Sequence, residues 1–470
     1  MSLLNAFLAH ARARPDAPAI VAPSGEITTY SDLVRLSAGR AEGFAGAGIG
    51  AGDIVLVARG VSPALYASLL GLFRIGAVAM FPEPAAGLSG LAGAIDAAQP
   101  KAMIGGAKVR ALRPFLPALR RLPVLAELVA PTLETPPAAI GADAPALITF
   151  TSGSTGRPKG IVRSSAFLML QHKLLEDVRR TKPTDVDFIS LPVFILSNLA
   201  AGAASVIPAG DLRRPAQLDG GRMRAQIAAQ GVNRIVAPPA VCARLAAESA
   251  PMPQLEAIFT GGGPVFPNLL HALKRFAPNA KIHAVYGSTE AEPIAHIEYG
   301  EIAENDWAAM QGGRGLLAGK PISEIQLSLQ DGEIQVAGPH VNRGYLNSSD
   351  DASTKIARDG VLWHKTGDAA RLDAQGRLWL LGRKEAVQGG LYPFAVETAA
   401  LSWPGVSQAA LLASPSPARL AIAGKGLDMA DLQKRAEALG EIELIVLASI
   451  PMDKRHNSKI DYTALRRVLG

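Results

Sequence analysis

The sequence predicts an α/β protein of more than one domain, and three observations carry that prediction. The chain has 470 residues, 49 % apolar and 19 % charged, a globular composition long enough for more than one core. Helical-period segments alternate with short apolar, β-branched runs over most of its length, the pattern of layered α/β sheets. From about Gly319 the pattern shifts to short alternating strands with Gly turns, Glu324 to Leu329, Gly332 to Ala337 and Gly376 to Leu381. These mark a small β-rich subdomain.

The elements follow in order. MSLLNAFLAHARARP has no basic segment before its apolar run, so it reads as an amphipathic first helix and not a secretory signal. Tyr30 to Gly43 reads as a helix, Asp53 to Ala58 as a strand, Ser62 to Phe73 as a helix and Gly76 to Phe81 as a strand. The Gly-rich run Gly46 to Gly52 lacks GxGxxG spacing and precedes a strand, so it is a turn and not a dinucleotide fingerprint. Ala146 to Phe150 is a buried strand, and Ser164 or Ser165 can cap a helix carrying Phe167, Leu170, Leu174 and Val178 at helical spacing. Leu191 to Ala209 is the most apolar stretch. Broken by Pro192, Ser197, Asn198, Ser205 and Pro208, it reads as buried strand and loop, not a membrane span. Asn233 to Ala237, Leu255 to Thr260 and Lys281 to Tyr286 are further strands, each followed by small or hydroxyl residues. In open α/β sheets ligands collect at such strand ends. After Arg383 α and β patterns mix, ending in a helix from Tyr462.

Net charge is +6 with a pI near 9.4, but the Arg residues are scattered and aromatics make up only 5 %. Nucleic-acid binding, which wants a basic stripe with stacking aromatics, is not indicated. A mild attraction to anionic nucleotides is. Cys242 is the single cysteine, so no intrachain disulfide forms, and a cytoplasmic location is expected. It sits in an Ala-rich helical pattern and reads as a packed core residue.

The densest chemical signal is Thr151 to Gly160, TSGSTGRPKG, with three glycines, four hydroxyl side chains and two cations. It reads as a loop between the preceding strand and the following helix. Gly153, Gly156 and Gly160 allow close backbone approach to a ligand. Ser152, Ser154, Thr155 and backbone N–H groups can donate to phosphate oxygens, and Lys159 or Arg157 can neutralise them. A Walker loop is excluded, since four residues separate its glycines and a Ser or Thr follows its Lys, where here Gly160 follows Lys159. Tyr286-Gly287-Ser288-Thr289-Glu290 places an aromatic, hydroxyls and a carboxylate at one strand end. Trp363 to Asp368 places an Asp in a turn, Gly382-Arg383-Lys384 follows a strand, and Arg455 to Asp461 carries Lys459 among polar residues.

Taken together and in this order, these stretches resemble the adenylate-forming superfamily of acyl-CoA synthetases, peptide-synthetase adenylation domains and luciferases. The resemblance covers essentially the whole chain and includes Ile75 to Ala79, Gly332 to Gly338 and Gly344-Tyr345-Leu346. It implies an N-terminal adenylation domain over residues 1–382 and a small, mobile α+β C-terminal domain over 383–470, hinged at Gly382 to Lys384. It implies ATP and Mg²⁺ as cofactors and an apolar carboxylic acid as substrate. Thr151, Ser152, Gly153, Ser154, Thr155, Gly156 and Lys159 would hold the β- and γ-phosphates. Tyr286 would stack on adenine beside Gly262 and Gly263, with Gly287 and Ser288 in the same nucleotide-binding stretch. Thr289 would donate to the α-phosphate and Glu290 would ligate Mg²⁺. Asp368 would accept from both ribose hydroxyls, and Arg383 would add a ribose or phosphate contact. Lys459 would bridge the substrate carboxylate and the α-phosphate.

Three departures from the family bear on substrate and acceptor. Ile195 stands where many relatives carry His after an aromatic, so Phe194, Ile195, Ser197 and Asn198 imply a more apolar acid pocket. The segment after Arg383 is shorter than the loop that helps form the pantetheine tunnel of CoA ligases. Ser458, not Gly, precedes Lys459. The superfamily's commonest second step implies transfer to a thiol, CoA or an acyl carrier protein. YGSTEAEP from Tyr286, the run Arg455 to Ile460 and Gly390 to Pro393 resemble instead the olefin-biosynthesis β-lactone synthetase branch, in which a β-hydroxyl closes on the activated carbonyl. A non-catalytic nucleotide-binding module is the alternative of a different class.

Overall fold

The computed structural model describes residues 2–83, 86–127, 136–152, 158–247, 250–387, 389–413, 417–453 and 459–469. The chain divides into two compact units. One comprises Met1–Gly210, Ala225–Arg234 and Pro339–Lys355, the other Asp211–Arg224, Ile235–Gly338 and Ile356–Gly470.

The first unit holds a five-stranded sheet in the order Ala102–Gly105, Ile54–Ala58, Val78–Phe81, Pro145–Ser152, Pro158–Ser164. Its first four strands are parallel, as helical crossovers require, and the last turns back antiparallel. Leu56, Met80, Met103, Ile148 and Phe150 form its core. Val186–Ile189, Ala204–Val206, Pro18–Val21 and Ile27–Thr29 form a second run of paired strands. Local chemistry sets the helix starts. Thr29 and Asp32 form a reciprocal capping box for Tyr30–Gly46, and Ser62 caps Pro63–Arg74, whose Pro opens the helix.

The second unit strings Gln326–Gln330, Glu333–Ala337, Val361–Leu372, Leu378–Arg383, Leu316–Pro321, Ala291–Glu298, Lys281–Ser288 and Ala257–Gly261 along one sheet. Its C-terminal part is a small three-stranded sheet, Val406–Leu412, Ala418–Gly424 and Ile442–Val446, packed with the helices Pro393–Ala400 and Met429–Glu437 around Leu420, Ile422, Trp403 and Leu432. The predicted α/β class with a small C-terminal α+β part is what the chain adopts. Cys242 lies fully buried on the helix Pro239–Ala246, and burial pushes its thiol up to about 12. Among the described residues no helix is long and apolar enough to cross a membrane.

Three local expectations are corrected. The helix after the Gly- and Ser-rich loop does not follow directly, because Pro158–Ser164 first forms a strand in register with Pro145–Ser152, Thr151 opposite Lys159. Leu191 to Ala209 is not strand and loop but the helix Val193–Ala201 and then the strand Ala204–Val206. Asp368 lies not in a turn but inside the strand Val361–Leu372, opposite Arg383.

Candidate active site

In the second unit, three strands converge on one carboxylate. Tyr286, on Lys281–Ser288, donates its hydroxyl to Asp368 Oδ2 at 2.7 Å. Arg383, at the end of Leu378–Arg383, donates Nη1 to Asp368 Oδ1 at 3.1 Å and to the Thr366 carbonyl at 2.9 Å. Burial and the neighbouring Asp368 both push the Tyr286 phenol well up, so it remains a donor at any ordinary pH. Each Asp368 oxygen thus keeps one lone-pair direction for a ligand hydroxyl. Gly367 makes the approach possible. Its φ is +73°, and a Cβ there would stand 2.7 Å from Arg383 Nη2.

The support beneath this carboxylate carried no sequence signal. The Thr366 hydroxyl donates to the Ile334 carbonyl at 2.9 Å and accepts from the Asp368 amide at 3.1 Å. Buried Glu333 accepts from the Gly367 amide at 3.1 Å and pairs with Lys384 at 3.7 Å. These bonds fix the strand from Thr366 to Asp368.

Strand register gathers the other nucleotide candidates. Ala257–Gly261 runs parallel to Lys281–Ser288 with Gly261 opposite Val285, which sets Gly262 and Gly263 beside Tyr286 and Gly287 at the same sheet edge. Ser288 pairs with Ala291, so Thr289 and Glu290 form the two-residue tip of a hairpin, both half-buried. The Ser288 hydroxyl oxygen is buried without a hydrogen-bond partner among the described residues, an unsatisfied polar atom of the kind a ligand or water completes.

In the first unit the loop's flanks are defined, while Gly153, Ser154, Thr155, Gly156 and Arg157 lie outside the described residues. Thr151 and Ser152 end one strand and Lys159 begins the next. Lys159 is buried, its Nζ 3.3 Å from Ser353 Oγ and 5.4 Å from the centre of the Tyr345 ring. Lys355 lies 5.8 Å from the same ring. The Leu346 amide donates to the Gly160 carbonyl at 2.7 Å, so this segment anchors the loop's exit strand.

Of the pocket candidates, Phe194, Ile195, Ser197 and Asn198 are all buried on Val193–Ala201. Ser197 shares its hydroxyl with His172 Nδ1 at 2.8 Å and Glu176 at 3.2 Å. Asn198 accepts from Arg179 and donates to Asp187 at 3.1 Å. Asp187, fully buried, also takes Arg179 and Arg234, the latter Nε at 2.9 Å, while Arg234 reaches Asp185 at 2.6 Å. Arg179 lies 5.5 Å from the centre of the Phe194 ring. Burial pushes the His172 pKa down and Arg179 adds to this against Glu176, so the ring is neutral near pH 7. These side chains hold the helix from within. Its exposed residue is Val193, at the N-terminal end.

Lys459 is exposed in the C-terminal part. Its amide donates to Asp453 Oδ1 at 2.9 Å, and its carbonyl accepts from the Asp453 amide at 2.7 Å. Residues 454–458, including Ser458, lie outside the described residues.

Comparison with known proteins agrees with this architecture. The olefin beta-lactone synthetase of Stenotrophomonas maltophilia is 32 % identical, over 96 % of this chain and 94 % of its own length. The feruloyl-CoA synthase of an Amycolatopsis species is 28 % identical over 87 % and 84 %. Among solved structures, the anthranilate CoA ligase AuaEII in complex with anthranoyl-AMP has a TM-score of 0.84 at 17 % identity, covering 100 % of this chain and 97 % of its own. The amide bond synthetase McbA from Marinactinospora thermotolerans has a TM-score of 0.83 at 19 % identity, covering 99 % of each. At such identities the shared feature is the fold. The AMP-binding enzyme family matches residues 7–346, and with that match this chain belongs to the family and is an adenylate-forming ligase.

Proposed function

We propose that the protein activates an apolar β-hydroxy carboxylic acid with ATP and that the acid's own hydroxyl then closes on the activated carbonyl to give a β-lactone. A carboxylate oxygen attacks the α-phosphorus and pyrophosphate leaves. The β-hydroxyl oxygen then attacks the acyl carbon, its proton passes to solvent and AMP departs. The supporting observation is the similarity to the Stenotrophomonas maltophilia olefin beta-lactone synthetase across nearly the full length of both chains.

The site chemistry suits the first step. We assign Asp368, with Tyr286 and Arg383 orienting it, to the ribose hydroxyls. Gly262, Gly263, Tyr286, Gly287 and Ser288 take the base, Thr289 the α-phosphate, and the stretch Thr151 to Lys159 the departing phosphates. Among the described residues no three His, Cys, Asp or Glu side chains cluster as a metal cage. Glu290, at the tip of a hairpin, fits Mg²⁺, which is held by one or two carboxylates with nucleotide and water oxygens completing its shell. Lys459 of the C-terminal domain, residues 383–470, supplies charge neutralisation during attack.

The 28 % identity to a feruloyl-CoA synthase favours a second reading, transfer of the acyl group to the thiol of CoA or a carrier protein. Incubation of a long-chain β-hydroxy acid with ATP and Mg²⁺, without thiol, separates the two. The lactone reading expects a product lighter than the acid by one water, formed with stoichiometric AMP. Product only when CoA is added, as a thioester, overturns it.

Asp368→Asn keeps the side-chain shape and removes the charge. It is expected to raise KM for ATP about tenfold with a smaller change in kcat, since hydrogen bonds to a charged acceptor are the stronger class. Steady-state pyrophosphate release at varied ATP measures it, and an unchanged KM counts against ribose recognition by Asp368.

A further inference from the structure

The helix Pro393–Ala400 buries a carboxyl that the reaction does not use. Glu397 is fully buried. Its Oε1 accepts from the Leu411 amide at 3.0 Å and from the Tyr462 hydroxyl at 2.9 Å, while Oε2 is buried without a partner among the described residues. A half-satisfied buried carboxyl is expensive, so its presence calls for a reason.

Its two partners give one. Leu411 lies on Val406–Leu412, the strand on which the chain's last segment is seated. Ile460, Tyr462 and Met452 pack against Ala410, Leu412 and Leu465 there. Tyr462 opens the final helix, Tyr462–Leu469, three residues after Lys459. Every link between them is fixed. Ile460 bridges Met452, the Asp461 amide donates to the Pro451 carbonyl at 2.9 Å, and Asp461 Oδ1 accepts the Ala464 amide at 2.9 Å. Asp453 holds Lys459 from the other side.

We propose that Glu397 is a positioning residue for Lys459, acting through the Tyr462 hydroxyl to fix the segment that presents the lysine. The proposal rests on Lys459 being the residue that neutralises charge during adenylation. Ionised Glu397 holds the Tyr462 hydroxyl by a charge-assisted bond, and neutral Glu397 holds it more weakly. Burial pushes the Glu397 carboxyl up to about 7, against the pull of the Leu411 amide and the Tyr462 hydroxyl. Among the described residues, the charged group that bears on this pair is Arg466, one turn along the final helix, which acts on Tyr462. The hold on Lys459 therefore tightens as pH rises through about 7. Stability moves the opposite way. A carboxyl whose pKa is raised by folding favours the fold below its unfolded value of about 4.5, and that contribution is lost as pH rises through about 7.

The test compares wild type, Glu397→Gln, Tyr462→Phe and Lys459→Ala in carboxylate-dependent ATP–pyrophosphate exchange from pH 5.5 to about 9, with melting temperature read alongside. Identical substrates in every arm cancel the titration of ATP itself. The expected result is a wild-type kcat that rises through about pH 7 while the melting temperature falls, with both inflections absent in Glu397→Gln. Tyr462→Phe, which keeps the ring, should lose about tenfold in kcat with KM for ATP unchanged. A wild-type kcat inflection that persists in Glu397→Gln, or a Tyr462→Phe enzyme at full kcat, overturns the proposal when Lys459→Ala is inactive. An active Lys459→Ala enzyme overturns instead the role of Lys459 on which it rests.

Discussion

Lys459→Ala is expected to lower carboxylate-dependent ATP–pyrophosphate exchange by about a thousandfold while leaving ATP affinity within about twofold. The reaction brings a carboxylate onto a phosphate, and two anions repel as the bond forms. A unit charge about 4 Å from one of these anions, in surroundings of effective dielectric near 20, is worth about 4 kcal/mol, or about three powers of ten in rate. The nucleotide itself is held in this reading by residues of other segments, so calorimetric ATP binding should survive. Consumption of a preformed acyl-adenylate should also survive, because the α-phosphate has by then been attacked. Exchange at more than about a tenth of the wild-type rate would sink this assignment.

Asp187→Ala carries the largest expected cost to the fold, about 3–5 kcal/mol. The aspartate is fully buried and takes Arg179, Arg234 and Asn198 at once. Its removal takes one carboxylate partner from each of two buried guanidinium groups. Asp185 and Glu176 each retain one of them, at 2.6 Å from Arg234 and 2.9 Å from Arg179, which keeps the cost short of complete unfolding. Urea unfolding measures the loss as a lowered midpoint at constant slope. Asp187→Asn should fall in between, since the amide still accepts from one arginine. A midpoint unchanged by the alanine substitution would mean that water or rearranged carboxylates satisfy both arginines.

Most strands were legible in the sequence because apolar, β-branched runs end there in Gly and hydroxyl turns. Lys281–Ser288 and Ala257–Gly261 are of this kind. The helix Val193–Ala201 was not legible. It is buried nearly all round, so its apolar residues show no 3.6-residue period, and Pro192 at its start suggested a break. Thr-Gly-Asp is ordinary turn chemistry and by itself places Asp368 in a turn; pairing with Arg383 across two strands overrides that local preference. Short motifs mark the candidate nucleotide residues: Tyr286 to Ser288 end a strand, Thr289 and Glu290 tip a hairpin, and Asp368 lies within a strand. What joins them has no local sequence signal. The Tyr286–Asp368 bond links residues far apart in the chain and depends on sheet order. Glu333 and Thr366 act by holding the Gly367 and Asp368 amides, contacts that no short motif announces. The arginine and aspartate residues of the buried network also gave no warning, since charged residues are ordinarily surface residues.

The buried thiol of Cys242 has a practical consequence for watching the C-terminal segment at work. With the only native sulfhydryl enclosed and its pKa pushed up to about 12, maleimide and disulfide reagents at neutral pH meet almost no reactive thiolate on the folded chain. The natural protein is therefore a ready single-label scaffold. A cysteine placed at Val446, an exposed position of the small C-terminal sheet, takes up the whole of an added fluorophore or spin probe. Signals from the part of the chain that carries Lys459 can then be followed through turnover without first engineering away a background.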